Sequence, residues 1–172
     1  MSKVHINGAE LYYELTGQGT ETVVLLHGLG SCTQDWEYQV PMLSKKFRVL
    51  TIDMRGHGRS EKSCGPFSIP QLSDDVIAVL DVLKIQSAHL LGLSMGGMMA
   101  FQMAVSHPAR IKSLIIVNSA PGFIIPSLYY WFLVWQRIFF VRIMGMNRLG
   151  KIIAGDLLPK VEHNDIRSRL IE

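Results

Sequence analysis

Two periodicities alternate along residues 1–120. Thr22-Val23-Val24-Leu25-Leu26, Phe47-Arg48-Val49-Leu50-Thr51-Ile52, Ala88-His89-Leu90-Leu91 and Ser113-Leu114-Ile115-Ile116 are short, mostly apolar runs. Near-continuous runs of this kind suit strands buried on both faces of a parallel sheet. Helical spacing appears between them. Leu72, Val76, Val79, Leu80 and Leu83 recur on one face behind Ser68-Ile69-Pro70-Gln71, which has the form of a capping box. Residues 95–107, rich in Met and Ala, read as a second helix stopped by Pro108, and residues 36–45 as a short amphipathic one interrupted by Pro41. At the start, Val4 to Ile6 and Leu11 to Leu15 flank Asn7-Gly8, a strong hairpin signal. Strands alternating with helices predict an α/β fold: a mostly parallel sheet, covered by helices on both faces, that opens with an antiparallel pair. Residues 112–117 are expected to be one more buried strand.

The pattern changes after Ala120. Phe123, Tyr129, Tyr130, Trp131, Phe132, Trp135, Phe139 and Phe140 crowd a short stretch, but Gln136, Arg137 and Arg142 break it. About twenty consecutive apolar residues are needed to span a bilayer, so no transmembrane segment is expected.

Chemistry enters where the runs end. Gly92-Leu93-Ser94-Met95-Gly96 falls at the junction of a predicted strand and a predicted helix. A serine hydroxyl is a weak nucleophile until a sharp turn lifts it above the sheet, within reach of a base and an oxyanion pocket. Gly92, Gly96 and Gly97 give such a turn room. G-x-S-x-G alone is a weak pattern, and the strand before and helix after it are what single out Ser94 as the candidate nucleophile. The strand Thr22–Leu26 ends in His27-Gly28-Leu29-Gly30. A tetrahedral acyl intermediate needs two fixed donors, one following the nucleophile and one on the loop after an early strand. The backbone N–H groups of Met95 and Leu29 are the candidates for that oxyanion hole. His27 reads as a brace for its loop, because the base in such an arrangement arrives on a late loop.

The strand at residues 47–52 runs into Asp53-Met54-Arg55-Gly56-His57-Gly58-Arg59-Ser60. Taken with the His27-Gly28-Leu29-Gly30 loop and the Gly92-to-Gly96 elbow, in this order and spacing, it resembles the α/β-hydrolase fold superfamily, in the branch of small serine esterases, lactonases and perhydrolases. The resemblance covers residues 1–120. It implies that the 53–60 loop is mainly structural, making His57 and Arg55 poor catalytic candidates. It also implies that residues 121–172 begin a helical cap. Trp131, Trp135 and Ile138 fall near one helical face there, which either lines an acyl- or aromatic-binding pocket or serves ordinary lid packing. In that family the acid and histidine follow the cap, and nothing after Gly150 reads as the strands that carry them. The expectation is an N-terminal portion ending inside its lid, with both partners of Ser94 outside the chain. Asp156, His163 and Asp165 are the alternatives within it.

The implied activity is hydrolysis of a carboxylic ester, lactone or thioester through an acyl-enzyme, on a small-molecule substrate and without a cofactor. Serine at the elbow, where aspartate would suit dehalogenation or epoxide opening, favours esters. The competing reading is a non-catalytic pseudoenzyme or ligand-binding module that keeps the elbow. Composition narrows the field further. A net charge of +3 over 172 residues gives no basic stripe for nucleic acid. There is no metal-ligand spacing and no dinucleotide fingerprint, so no metal is expected. No apolar signal core opens the chain, which makes the cytoplasm the expected location and free thiols the expected state of Cys32 and Cys64. A strand at 112–117 without its later neighbour would leave an open apolar edge, and self-association through that edge or the lid follows.

Overall fold

A computed structural model describes residues 2–62 and 66–122, together with Ser127, Tyr129, Phe132, Trp135, Gln136 and Phe139. Cys64, Trp131, Ile138, Asp156, His163 and Asp165 lie outside the described residues. The chain divides into two compact units, Met1–Gly122 and Phe123–Glu172. The first holds six strands: β1 (Ser2–Ile6), β2 (Ala9–Thr16), β3 (Thr22–Leu26), β4 (Arg48–Ile52), β5 (Ala88–Leu93) and β6 (Ile111–Val117). Its helices are α1 (Gln39–Leu43), α2 (Ile69–Val82) and α3 (Met95–Ser106), with 3-10 turns at Thr33–Trp36 and Pro108–Arg110.

The strands form one sheet in the order β1-β2-β4-β3-β5-β6. β1 and β2 are antiparallel, β2 runs antiparallel to β4, and β4, β3, β5 and β6 are mutually parallel. This is the expected α/β fold. Asn7 and Gly8 close the β1–β2 hairpin with φ of +47° and +73°, the left-handed conformation that Asn-Gly adopts at little cost.

The two-residue period of the strands divides the core. Val24, Leu26, Leu50, Ile52 and Leu90 face α2 and α3, where they meet Leu72, Val76, Val79, Leu80, Met99 and Met103. The intervening Val23, Leu25 and Val49 face Trp36, with Val40, Leu43 and Phe47 around them. Every residue of β3 is therefore buried, and each such aliphatic side chain contributes about 1.5–3 kcal/mol relative to exposure. α2 starts as its sequence predicts, with the Gln71 N–H donating to Ser68 Oγ at 3.2 Å. Pro41 does not interrupt a helix. It sits in the first turn of α1, where its missing N–H has no intrahelical acceptor in any case.

β6 departs from expectation. It was to be buried, yet Ile115 is 51% and Val117 42% exposed. Among the described residues the strand pairs only with β5, at the end of the sheet order. The helices α2 and α3 cover one face, and among the described residues Trp36 and α1 pack on the other against Val23, Leu25 and Val49 of β3 and β4. Among the described residues no helix is long and apolar enough to cross a membrane.

Candidate active site

The sheet order reverses at β3, whose neighbours are β4 on one side and β5 on the other. Crevices form beyond the carboxyl ends of strands at such a switch point. The loop after β3 and the turn after β5 both end there, and they carry the candidate residues.

Ser94 is the single residue between β5 and α3. It is exposed, with φ +51° and ψ −113°. A non-glycine residue held there costs on the order of 1–3 kcal/mol, which its surroundings must impose. Three glycines and two hydrogen bonds do so. A Cβ at Gly96 would overlap the carbonyl of Leu26, one at Gly92 would overlap the Gly96 carbonyl, and one at Gly97 would come within 2.5 Å of Ser119 Cβ. Helix α3 is thereby seated directly on β3 and β5. The Ser94 N–H donates to Val117 O at 3.0 Å, extending the β5–β6 ladder past the end of the strand. Ser119 Oγ donates to Ser94 O at 2.6 Å. Nothing in sequence spacing announces Ser119, because its hydroxyl reaches the elbow only through the turn at Asn118, where φ is +47°.

Met95 is buried and opens α3, so its N–H belongs to the first turn, where backbone donors lack helical acceptors. Leu29 lies on the loop after β3 with its side chain 78% exposed, as suits a residue whose candidate role is carried by backbone. That loop reaches the elbow: a Cβ at Gly28 would stand 3.7 Å from Ser94 Cβ. The Ser31 N–H donates to Gly28 O at 3.3 Å, closing a turn around Leu29 and Gly30.

His27 is fully buried. The Met54 N–H donates to its Nε2 at 3.0 Å, so Nε2 is unprotonated, and its Nδ1–H donates to Gly28 O at 2.7 Å. Burial pushes the imidazole below its ordinary value. Nδ1 is spent within the loop after β3 and Nε2 ties that loop to the one after β4, which is bracing.

Asp53 performs the same task for the 53–60 loop. Its buried carboxylate accepts from the Thr33 N–H at 2.6 Å and the Arg59 N–H at 2.7 Å. Gly58, at φ +48°, leaves room for it, since a Cβ there would overlap the carboxylate. Arg59 lies 3.7 Å over the Tyr12 ring and donates to Thr33 Oγ1 at 2.8 Å and Glu14 Oε1 at 3.0 Å. The Tyr12 phenol is itself pushed up to about 12, by burial first and then by its hydrogen bond to Glu14. Arg55 is buried against Asp75 on α2, and the His57 ring lies 5.1 Å from that of His27. Among the described residues, no imidazole is hydrogen-bonded to Ser94 Oγ. Trp135 is described and is 64% exposed. Cys32 is a free thiol, pushed up by burial.

A mostly parallel sheet flanked by helices, with a strained serine at a strand-to-helix turn beside a glycine-rich loop, defines the class. The comparisons agree. The family model for the alpha/beta hydrolase fold matches residues 21–141, and the chain belongs to that family. It is 36% identical over 127 residues to a putative carbamate hydrolase RutD from Azorhizobium caulinodans, a match covering 72% of this chain and 48% of the relative. It is 37% identical over 150 residues to a pimeloyl-[acyl-carrier protein] methyl ester esterase from Aeromonas hydrophila, covering 87% of this chain and 54% of that one. Among solved structures, the enol-lactonase from Burkholderia xenovorans LB400 superposes with a TM-score of 0.86 at 32% identity, over 99% of this chain and 66% of that chain. The chain spans about half the length of the curated relatives it matches.

Proposed function

We propose that this chain is the nucleophile-bearing part of a serine hydrolase acting on carboxylic esters, lactones or thioesters. The observation that carries the reading is Ser94, exposed and strained at the carboxyl end of β5 at the switch point. Ser94 Oγ attacks the acyl carbonyl and transfers its proton to a histidine beyond the described residues. The Leu29 and Met95 N–H groups hold the oxyanion, and water then releases the acyl group from the serine. Relatives named as a carbamate hydrolase, a methyl ester esterase and an enol-lactonase support chemistry at an acyl carbon. No cofactor takes part in this scheme, and the enzyme is assigned to the cytoplasm.

In the same reading residues 1–120 form the core and residues 121–172 begin a lid, with Trp131 and Trp135 against the acyl group. Polar replacements of both tryptophans then raise KM for long-chain esters more than for acetate esters.

The decisive test uses the full-length protein and p-nitrophenyl acetate. Ser94→Ala lowers hydrolysis by roughly 1,000-fold or more, and a fluorophosphonate probe that labels the parent protein at Ser94 no longer attaches. Undiminished hydrolysis by the variant refutes the nucleophile assignment. A parent protein that neither hydrolyses nor labels is a binding module that has kept the elbow.

A further inference from the structure

We propose that Ser119 is a positioning residue for the oxyanion donor, acting through the peptide unit that joins Ser94 to Met95. The proposal rests on the reading of Ser94 as nucleophile and Met95 N–H as oxyanion donor.

The Ser94 carbonyl and the Met95 N–H are the two ends of one planar amide. Whatever fixes the oxygen fixes the direction of the N–H, and hydrogen bonds accepted by the oxygen polarise the amide and strengthen the donor at the other end. That oxygen accepts three bonds: from the Gly97 N–H at 2.9 Å, the Met98 N–H at 3.2 Å and Ser119 Oγ at 2.6 Å. The first two come from α3 itself and turn with it. The third is the shortest and comes from a different element, the segment after β6. It is also the only side-chain donor of the three.

The approach of Ser119 is built in. β6 runs in register with β5 until Leu93 lies opposite Val117, and Val117 O then takes the Ser94 N–H. The left-handed turn at Asn118 brings Ser119 back over α3, where Gly97 leaves room for its Cβ. The segment Val117-Asn118-Ser119 therefore grips the elbow on both sides of Ser94, at the N–H through a backbone carbonyl and at the C=O through a hydroxyl. A donor held in advance toward the developing negative charge lowers the barrier without tightening substrate binding. The hydroxyl of Ser119 should thus be read out in kcat.

The experiment compares Ser119→Ala, Ser119→Cys and Ser119→Thr in the full-length protein, with Ser94→Ala alongside. Substrate is p-nitrophenyl acetate, and phenylboronic acid serves as a tetrahedral mimic that places an oxygen toward the same donors. Ser119→Ala is expected to lower kcat about five- to tenfold, the worth of one hydrogen bond. KM stays unchanged and boronate affinity falls by a similar factor. Ser119→Cys, which keeps the bulk but donates weakly, shows the same split, and Ser119→Thr, which keeps the hydroxyl, restores kcat. Parent-like kcat in the Ala and Cys variants overturns the proposal. So does a loss that appears in KM or melting temperature while boronate affinity holds. Hydrolysis that survives Ser94→Ala removes the underlying reading instead. An inactive Ser94→Ala beside a fully active Ser119→Ala removes only the role of Ser119.

Discussion

Arg55 and Asp75 meet in a buried two-pronged ion pair, with Nε 2.5 Å from Oδ2 and Nη2 2.6 Å from Oδ1. The guanidinium is 5% exposed and the carboxylate not at all. Each charge in such a place is tolerable only because the other is present. The pair is also tied to the first hairpin: Arg55 Nη2 donates to Asn7 O at 3.2 Å, and Asn7 Nδ2 donates to Asp75 Oδ1 at 3.0 Å. Three separate pieces of chain, the β1–β2 turn, the loop after β4 and helix α2, are thereby held at one point. The loop that Arg55 anchors is the one whose Met54 N–H fixes His27, so the pair also steadies the brace that His27 provides.

Removing one partner strands the other charge. Asp75→Ala or Arg55→Ala should each cost about 3–5 kcal/mol of folding stability, read by urea denaturation. Replacing both together with apolar residues, Arg55→Met with Asp75→Leu, should recover most of that loss. A double variant as unstable as the worse single one would show that the ionic bonds themselves hold the three segments.

How far the sequence disclosed this arrangement depended on the range of the interaction. The Asn7-Gly8 hairpin, the Ser68 cap and the elbow around Ser94 are settled within a few residues by backbone sterics and local hydrogen bonding, and they were legible. The buried run of β3 was legible too, since both its faces are covered. The similar run in β6 misled, because the composition of a strand reports what it could bury and only its neighbours decide what it does bury. Arg55 and Asp75 are twenty residues apart, and Ser119 and Ser94 twenty-five, with no helical or strand period linking either pair. Their pairing is a product of topology, so no spacing in the chain could have announced it. His27 lay between these cases. The expectation that the base arrives on a late loop made it a brace; its Gly28 partner is the next residue, while the Met54 N–H is supplied by the fold.

Its burial gives His27 a signature in pH. Burial holds the folded imidazole below its ordinary value of about 6.5, so the unfolded chain takes up the proton first as pH falls. The stabilising contribution is complete above about pH 6.5 and is lost progressively as pH drops through the unfolded value toward the depressed folded one. Urea denaturation on either side of that pH should show the loss. In His27→Asn the overall stability should be lower at every pH, since the bonds to Met54 N–H and Gly28 O are disturbed, but the slope in this window should flatten. An unchanged slope in the variant would assign the acid sensitivity to another group.

The outer edge of β6 carries the last prediction. Among the described residues its backbone pairs with β5 on one side only, while Ile115 and Val117 stay about half exposed on the face opposite α2 and α3. An apolar edge strand with free backbone donors and acceptors is a template for another strand. The chain of residues 1–172 should therefore self-associate, with a second copy adding to this edge. Sedimentation velocity across a concentration series should show dimers or larger species, and Ile115→Lys combined with Val117→Lys should return the chain to monomer, since charges on an edge oppose pairing. A monodisperse monomer at all concentrations would sink the idea. A longer polypeptide that contains these residues and stays monomeric, beside a 1–172 chain that associates, would mean that the additional chain covers the edge, with the second copy only substituting for it.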